Sequence, residues 1–274
     1  MAFELPEALT IAKQMNAELA GKTIEHVHLA DECASLIQQG FVNLQQVNLT
    51  GTTIRSVTSK GKWVYIRLEP DWYFLLALES GGKVLYHPSQ ESVVKFHVKL
   101  DFSDGSCLTV RIVGWGFAKA IKEGELEAQR YPGKLGLSPV DEKGFSYQNF
   151  CAVLEQGGNK IVKYVLMEQT KIAGIGNGYL QDILFQAKLH PKRKVADLSK
   201  NERKTLYNAI RKTLNEAVRR GGSEFEVDLY DQPGKYKRLV GEHMKGKPCP
   251  ACGTAIEKLS VLGGSVYVCP SCQK

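Results

Sequence analysis

No run of the 274-residue sequence is apolar for long enough to span a bilayer, and the N-terminus lacks a basic segment followed by an apolar stretch. Neither membrane insertion nor secretion is expected, and a cytoplasmic home follows. Internal repeats and low-complexity tracts are absent, which leaves ordinary globular domains; the length suits two rather than one. A disulfide framework is the weaker reading of the cysteines. The seven cysteines are odd in number, and three of them, Cys33, Cys107 and Cys151, are scattered. Excess charge is missing from most of the chain. The formal net charge is +7, yet residues 188–220 hold eleven Lys/Arg against three Asp/Glu, so everything else sums to about −1.

Where cysteine does concentrate it forms a pattern. Cys249-x-x-Cys252 and Cys269-x-x-Cys272 stand sixteen residues apart at the C-terminal end. That spacing reads as a tetrahedral zinc site on a β-hairpin: each pair brings two thiolates to one metal, Gly253 suits a tight turn, and 256–268 supplies two short strands. A redox C-x-x-C belongs at the head of a βαβ unit, which these two terminal pairs do not resemble. The basic stripe at 188–220 has two readings, the solvated face of a helix or a surface for a polyanion. Beside a zinc hairpin it favours nucleic acid.

The periodicity divides the chain. Leu5, Ala8, Leu9, Ala12, Met15 and Leu19 recur at helical spacing, with Pro6 near the start and Gly21 just past the end, so an amphipathic helix is expected over 5–20. Short β-branched and aromatic runs follow at 23–29, 53–58, 63–68, 72–78, 93–102 and 107–113, the cadence of an antiparallel sandwich or barrel. Residues 132–144 turn to Pro, Gly and charge and read as a linker after a first domain over 1–131. Helical spacing resumes at 147–155, 160–167, 178–187 and 199–220, the last opened by Ser199 and Glu202 as a capping box. Residues 145–240 form a second, helical domain in this reading, and 241–274 the zinc finger. The fold class is α+β.

Between two of those helices runs Lys171-Ile172-Ala173-Gly174-Ile175-Gly176-Asn177-Gly178-Tyr179. Its three glycines free the backbone to turn and approach a partner, and Asn177 stands where a helix cap exposes N–H groups to a phosphate. Taken with Glu4-Leu5-Pro6-Glu7, Gly221-Gly222-Ser223, Pro233-Gly234 and the terminal cysteine hairpin, the chain resembles the formamidopyrimidine-DNA glycosylase and endonuclease VIII family over essentially its whole length. The resemblance implies an N-terminal β-sandwich with a flanking helix, a helix–two-turn–helix domain and a zinc finger, with DNA between the domains. It also implies a flipped lesion and attack on the sugar by a terminal proline amine, giving an imine and then β-elimination.

Carried over residue by residue, the resemblance matches the family's glutamates to Glu4 and Glu7 and its phosphate-contacting lysines to Lys62 and Lys163. The asparagine that caps the helix matches Asn177. Each has a plainer alternative: Glu4 and Glu7 suit a helix start through its dipole, Lys62 suits an exposed strand, and Asn177 suits a simple cap. His97 and His190 receive no catalytic role. The chain departs from the family at its head, where Phe3 takes the place of the proline and one extra residue precedes it. Ser80 stands for the wedge methionine, Trp115-Gly116-Phe117 for Arg-Arg-Phe, and Gly264 for the finger arginine. Trp115 is expected in the core, with intercalation as its alternative.

Two functions follow. One is a DNA glycosylase and abasic-site lyase in which the amine of Ala2, freed by removal of Met1, acts with Glu4. The other is a binding protein that reads damaged or abasic double-stranded DNA, or structured RNA on a ribosome, without catalysis. Zinc is the expected cofactor, a membrane is not an expected partner, and the expected state is a monomer. A zinc-stabilised protein-interaction module would leave the basic stripe unused.

Overall fold

The computed structural model describes residues 3–90, 93, 95–129 and 131–274. The chain divides into two compact units, Phe3–Lys134 with Gly221–Lys235, and Leu135–Arg220 with Tyr236–Lys274.

The first unit is a β-sandwich with a helix laid on it. Helix α1, Leu5–Leu19, starts with Pro6 in its first turn and buries Leu5, Ala8, Ala12, Met15 and Leu19 as its spacing predicts, with Ile11 added to the face and Leu9 only half-buried. Ala8, Ile11, Ala12, Met15 and Leu19 share one core with Ile54, Val57, Val64 and Ile66. One antiparallel sheet has the order β2-β3-β4-β8, from Thr53–Lys60, Trp63–Glu69, Trp72–Ala77 and Phe117–Lys122. The other has the order β1-β6-β7-β5, from Ile24–Leu29, Val98–Phe102, Cys107–Arg111 and Lys83–His87. A short helix, α2, covers Ala34–Gln38.

Two of these strands were not expected. β5 is five residues closed in by Gly81-Gly82 and Pro88, and β8 reads Phe-Ala-Lys-Ala-Ile-Lys, poor in β-branched residues. Pairing with β7 and β4 makes them strands where composition does not. Of the run expected over 93–102, Val98–Phe102 is a strand, and residue 94 lies outside the described residues.

The return of 221–235 to this unit is fastened by side chains. Gln14 donates to Asp228 at 2.8 Å and accepts from Leu229 N–H at 3.0 Å. Tyr86 N–H donates to the Leu229 carbonyl, the Tyr230 hydroxyl donates to Glu18 at 2.7 Å, and Lys83 pairs with Asp231 at 2.6 Å. Leu229 itself belongs to the sandwich core.

The second unit is helical with a terminal hairpin. Helices α3 (Tyr147–Gly157), α4 (Val162–Met167), α5 (Asn177–Ala187) and α6 (Lys200–Arg219) enclose Phe150, Leu154, Leu166, Leu180, Ile183, Leu206, Ile210 and Leu214. The capping box of α6 is formed, Ser199 Oγ accepting from Glu202 N–H and Glu202 from Ser199 N–H. Strands β9 (Glu257–Val261) and β10 (Gly264–Val268) make the hairpin. Among the described residues no helix is long and apolar enough to cross a membrane.

Candidate nucleic-acid interface and metal centre

At the head of the first unit, Glu4 precedes α1 and is fully buried. Its N–H donates to Glu7 Oε2 at 3.0 Å, while Glu7 Oε1 accepts from Ser223 N–H at 2.8 Å. Glu7 therefore stitches the helix start to the returning 221–235 segment. A Cβ at Gly222 would stand 2.9 Å from Glu7 Oε1, so glycine is needed for that approach. Glu226 lies in the same neighbourhood. Burial pushes its carboxyl up, the Ser80 hydroxyl and Gly81 N–H pull the other way, and Glu7 faces it as a like charge. Gly221-Gly222-Ser223 was noted in the sequence as a motif without a role, and Glu226 was missed, because Glu-x-Glu after that turn carries no periodic signal. Phe3 is 2 % exposed and sits in the sandwich core with Ala8 and Ile11. Ala2 lies outside the described residues.

Lys62 occupies the β2–β3 turn after Gly61, whose φ is +57°. Its ammonium lies 3.1 Å from Glu79 Oε1 and 5.7 Å from the centre of the Trp63 ring. Both members of the ion pair remain partly exposed, so water and salt screen it. Trp115 corrects the sequence reading: it is 80 % exposed rather than in the core, set between Gly114 and Gly116 and touching Phe41 edge-on at 5.9 Å. The turn Val113–Gly116 holds it out, since a Cβ at Gly116 would meet the Ala77 carbonyl at 2.8 Å. Phe117 opens β8, half-buried, with the Lys119 ammonium 5.5 Å from its ring.

In the second unit Lys163 and Asn177 come together. Lys163, on α4, is only 2 % exposed, and its ammonium donates to the Val261 carbonyl at 2.8 Å. Burial pulls its pKa below the ordinary lysine value. Asn177 is the first residue of α5 rather than its cap, which is Gly176 in extended backbone. Its side chain is turned instead to the hairpin, Nδ2 donating to the Ser265 carbonyl at 2.8 Å, and its Oδ1 is buried with no hydrogen-bond partner. A cavity of about 330 Å³ opens on the pair, lined by Lys163, Tyr164, Met167, Glu168, Asn177, Leu262, Gly263 and Gly264. A Cβ at Gly264 would stand 3.1 Å from Lys163 Nζ and 3.7 Å from Asn177 Oδ1. The glycine at the finger position thus leaves the lysine room.

Two further contacts fix this arrangement. Gln181 Oε1 accepts from Tyr267 N–H of β10 at 3.0 Å, and its amide donates to the Asn177 carbonyl. Asp182 accepts from the N–H groups of Leu239 and Val240 and from the Tyr236 hydroxyl, at 2.9–3.0 Å. Burial pushes its carboxyl up, against the pull of those bonds.

The four cysteines meet as their spacing requires. Their sulfur atoms all lie within 4.8 Å of one another, with Cys249–Cys272 at 3.9 Å and Cys252–Cys269 at 3.4 Å. A tetrahedral ion with Zn–S bonds of ~2.3 Å needs sulfurs about 3.8 Å apart, so the ring fits zinc. Ala251 N–H points to Cys249 Sγ and Cys272 N–H to Cys269 Sγ, each at 3.4 Å, as donors to thiolates. Gly253, at φ +77°, turns the chain after the first pair.

The basic stripe lies on and before α6. Its inner face buries Leu206, Ile210, Leu214 and Ala217. Several arginines are paired, Arg193 with Glu202, Arg203 with Glu155, and Arg219 and Arg220 with Glu216. Lys192, Lys194, Lys200 and Lys212 are exposed and have no ion pair among the described residues, and Lys204 lies 4.5 Å from the centre of the Tyr147 ring.

Comparison with known proteins agrees across the whole length. Residues 3–111 match the formamidopyrimidine-DNA glycosylase N-terminal domain, 135–228 the formamidopyrimidine-DNA glycosylase H2TH domain, and 246–274 the zinc finger found in FPG and IleRS. The chain is 31% identical over 275 residues to a formamidopyrimidine-DNA glycosylase of Bacillus cereus, covering 98% of each. It is 33% identical over 277 residues to that of Halalkalibacterium halodurans, covering 99% of each. Among solved structures it is similar to the Lactococcus lactis Fpg in complex with DNA containing an abasic site, with a TM-score of 0.83, and to MutM in complex with carbocyclic 8-oxo-G containing DNA, with 0.85. Both are 25% identical and covered to 99%, as is this chain. With its β-sandwich, its helical domain and a four-cysteine ring that fits zinc, this chain belongs to the formamidopyrimidine-DNA glycosylase family.

Proposed function

We propose that this protein reads damaged or abasic duplex DNA without covalent chemistry, holding phosphates with Lys62, Lys163 and Asn177. The observation that carries this reading is Phe3. It stands where the family start carries proline, its side chain is locked in the sandwich core, and its nitrogen is a peptide nitrogen with no lone pair to give a sugar carbon. The DNA-bound state of the Lactococcus lactis and MutM neighbours supports the choice of partner. The unpaired lysines of the α6 stripe add the sequence-independent attraction such binding draws on. Four thiolates close the zinc site, so the metal holds the hairpin and offers no open position for a reacting group.

In the catalytic alternative, Ala2 and Glu4 carry the chemistry. One extra residue adds about 3.5 Å of chain, and a misplacement of ~1 Å costs on the order of a hundredfold in rate. The test is borohydride trapping on abasic-site DNA, with the mature N-terminus determined in the same sample. Binding with little or no trapped adduct is expected. Deleting Ala2 together with Phe3→Pro restores a Met-Pro-Glu start and should recover some trapping. Robust trapping by the native chain, abolished when its terminal amine is blocked, would overturn the proposal. Tighter binding to a structured RNA than to the abasic duplex would move the partner to RNA.

A further inference from the structure

The turn of the zinc hairpin carries a residue that its backbone disfavours. Val261 and Gly264 are register partners, so Leu262 and Gly263 are a two-residue loop, and both have positive φ, +51° and +73°. Such a loop calls for Asn-Gly or Gly-Gly, because a side chain at positive φ crowds the carbonyl that follows it. Leucine is a poor choice there, and its side chain is also 61 % exposed. Backbone strain and an apolar group in water are two costs at one position. Strain of this kind points outward, to a ligand.

The surroundings say which ligand. The carbonyl of Val261, immediately before the turn, is held by the Lys163 ammonium, and the carbonyl of Ser265, two residues after it, by the Asn177 amide. Leu262 is thus presented by a tip fastened at both shoulders to the two residues proposed to hold a phosphate, and it lines the cavity they open on. Asn177 Oδ1, a buried acceptor without a donor, faces the same place. Lys160 adds a second cation, 5.1 Å from the centre of the Tyr164 ring at the cavity wall. Glu168 also lines the cavity, but its carboxylate is engaged by Thr170. Cationic groups around an apolar tip complement a polyanion whose groove is walled by sugars between its phosphates.

Resting on the DNA-binding reading above, we propose that Leu262 is an apolar wedge that enters the minor groove and lies against sugars and base edges beside the phosphate held by Lys163. Minor-groove proteins use leucine in this way.

The test measures binding of the zinc-loaded full chain to an abasic-site duplex by fluorescence anisotropy across a salt series. Leu262→Gly should weaken binding about tenfold or more, since a largely exposed leucine would otherwise be covered. The log-log salt slope should not change, because no charge is removed, and zinc should stay at one per chain, because glycine suits the turn better. Lys163→Met, by contrast, should flatten the slope by about one unit. Leu262→Gly binding as tightly as the native chain would overturn the wedge while leaving the DNA reading intact. Failure of the native chain to bind the duplex would overturn both. A native dimer that Leu262→Gly converts to monomer would assign the leucine to a second copy of the chain instead.

Discussion

Glu7→Gln tests whether the 221–235 segment is held to the first unit by the start of α1. Both oxygens of the Glu7 carboxylate are spent on backbone N–H groups, Glu4 at 3.0 Å and Ser223 at 2.8 Å, and the residue is buried. Glutamine keeps the volume but offers one acceptor oxygen, so one of the two N–H groups would face an amide donor. Losing a hydrogen bond to a charged acceptor, with the donor left buried, costs about 2–3 kcal/mol. Because the chain has two units, a single unfolding transition is not the right measure; amide exchange is. At ~1.4 kcal/mol per decade, protection at the amides of Ser223 and Glu4 should fall roughly 30- to 150-fold. Leu229 N–H, held by Gln14, should follow in the same direction, and Tyr267 N–H, held by Gln181 in the second unit, should not move. Unchanged protection at Ser223 in the glutamine variant would refute the stitch.

Cys252→Ser should leave less than one zinc per chain and lose amide protection across β9 and β10 while the sandwich amides stay protected, because the metal supplies much of what folds so small a hairpin; one tightly held zinc in that variant would contradict the four-sulfur site. Lys62→Ala should weaken DNA binding similarly across sequences and flatten the salt slope by about one unit, whereas Glu79→Gln, which frees the ammonium, should strengthen binding roughly two- to fivefold; an effect confined to one sequence would argue against a phosphate contact. Asp182→Asn keeps an acceptor for Leu239 and Val240 N–H and removes a buried charge. Burial raises the Asp182 pKa above its ordinary 3.8, so its contribution to stability is intact at more acid pH and is lost as pH rises through the raised value. Amide protection at Leu239 and Val240 in the asparagine variant, relative to the native chain, should therefore climb from pH 4 to pH 8, and a constant difference would refute the assignment.

Much of this architecture was legible because it is local. The apolar face of α1, the strands over 53–58, 63–68 and 72–78, and the Ser199–Glu202 cap are written in neighbours three or four residues apart or in short β-branched and aromatic runs. The cysteine quartet was legible because its spacing is the geometry of the ion. What escaped depends on partners far along the chain. Lys163 gives no sign in sequence that its ammonium will be buried against Val261, and Asn177 was placed one position off because its real partner, Ser265, is 88 residues away. An aromatic near a strand end reads as core, but flanking glycines at 114 and 116 turn Trp115 outward. The partner of Ser223, and Glu226 altogether, became visible only when the segment bearing them was seen to pair with α1 and β5.

That returning segment also governs the order in which the protein can be assembled during synthesis. The sandwich core contains Leu229, and the Tyr86 N–H of β5 finds its acceptor on the same residue, so the first unit is not covalently complete when Lys134 leaves the ribosome. The whole helical stretch to Arg220 must be translated first, which at ~5–20 residues per second takes on the order of ten seconds. For that interval the nascent sandwich has an open seam beside Gln14 and Tyr86, and the helices can pair among themselves before the strands are sealed. A chaperone that shields apolar edges would find its substrate there, and a chain halted between 134 and 221 would carry that seam permanently.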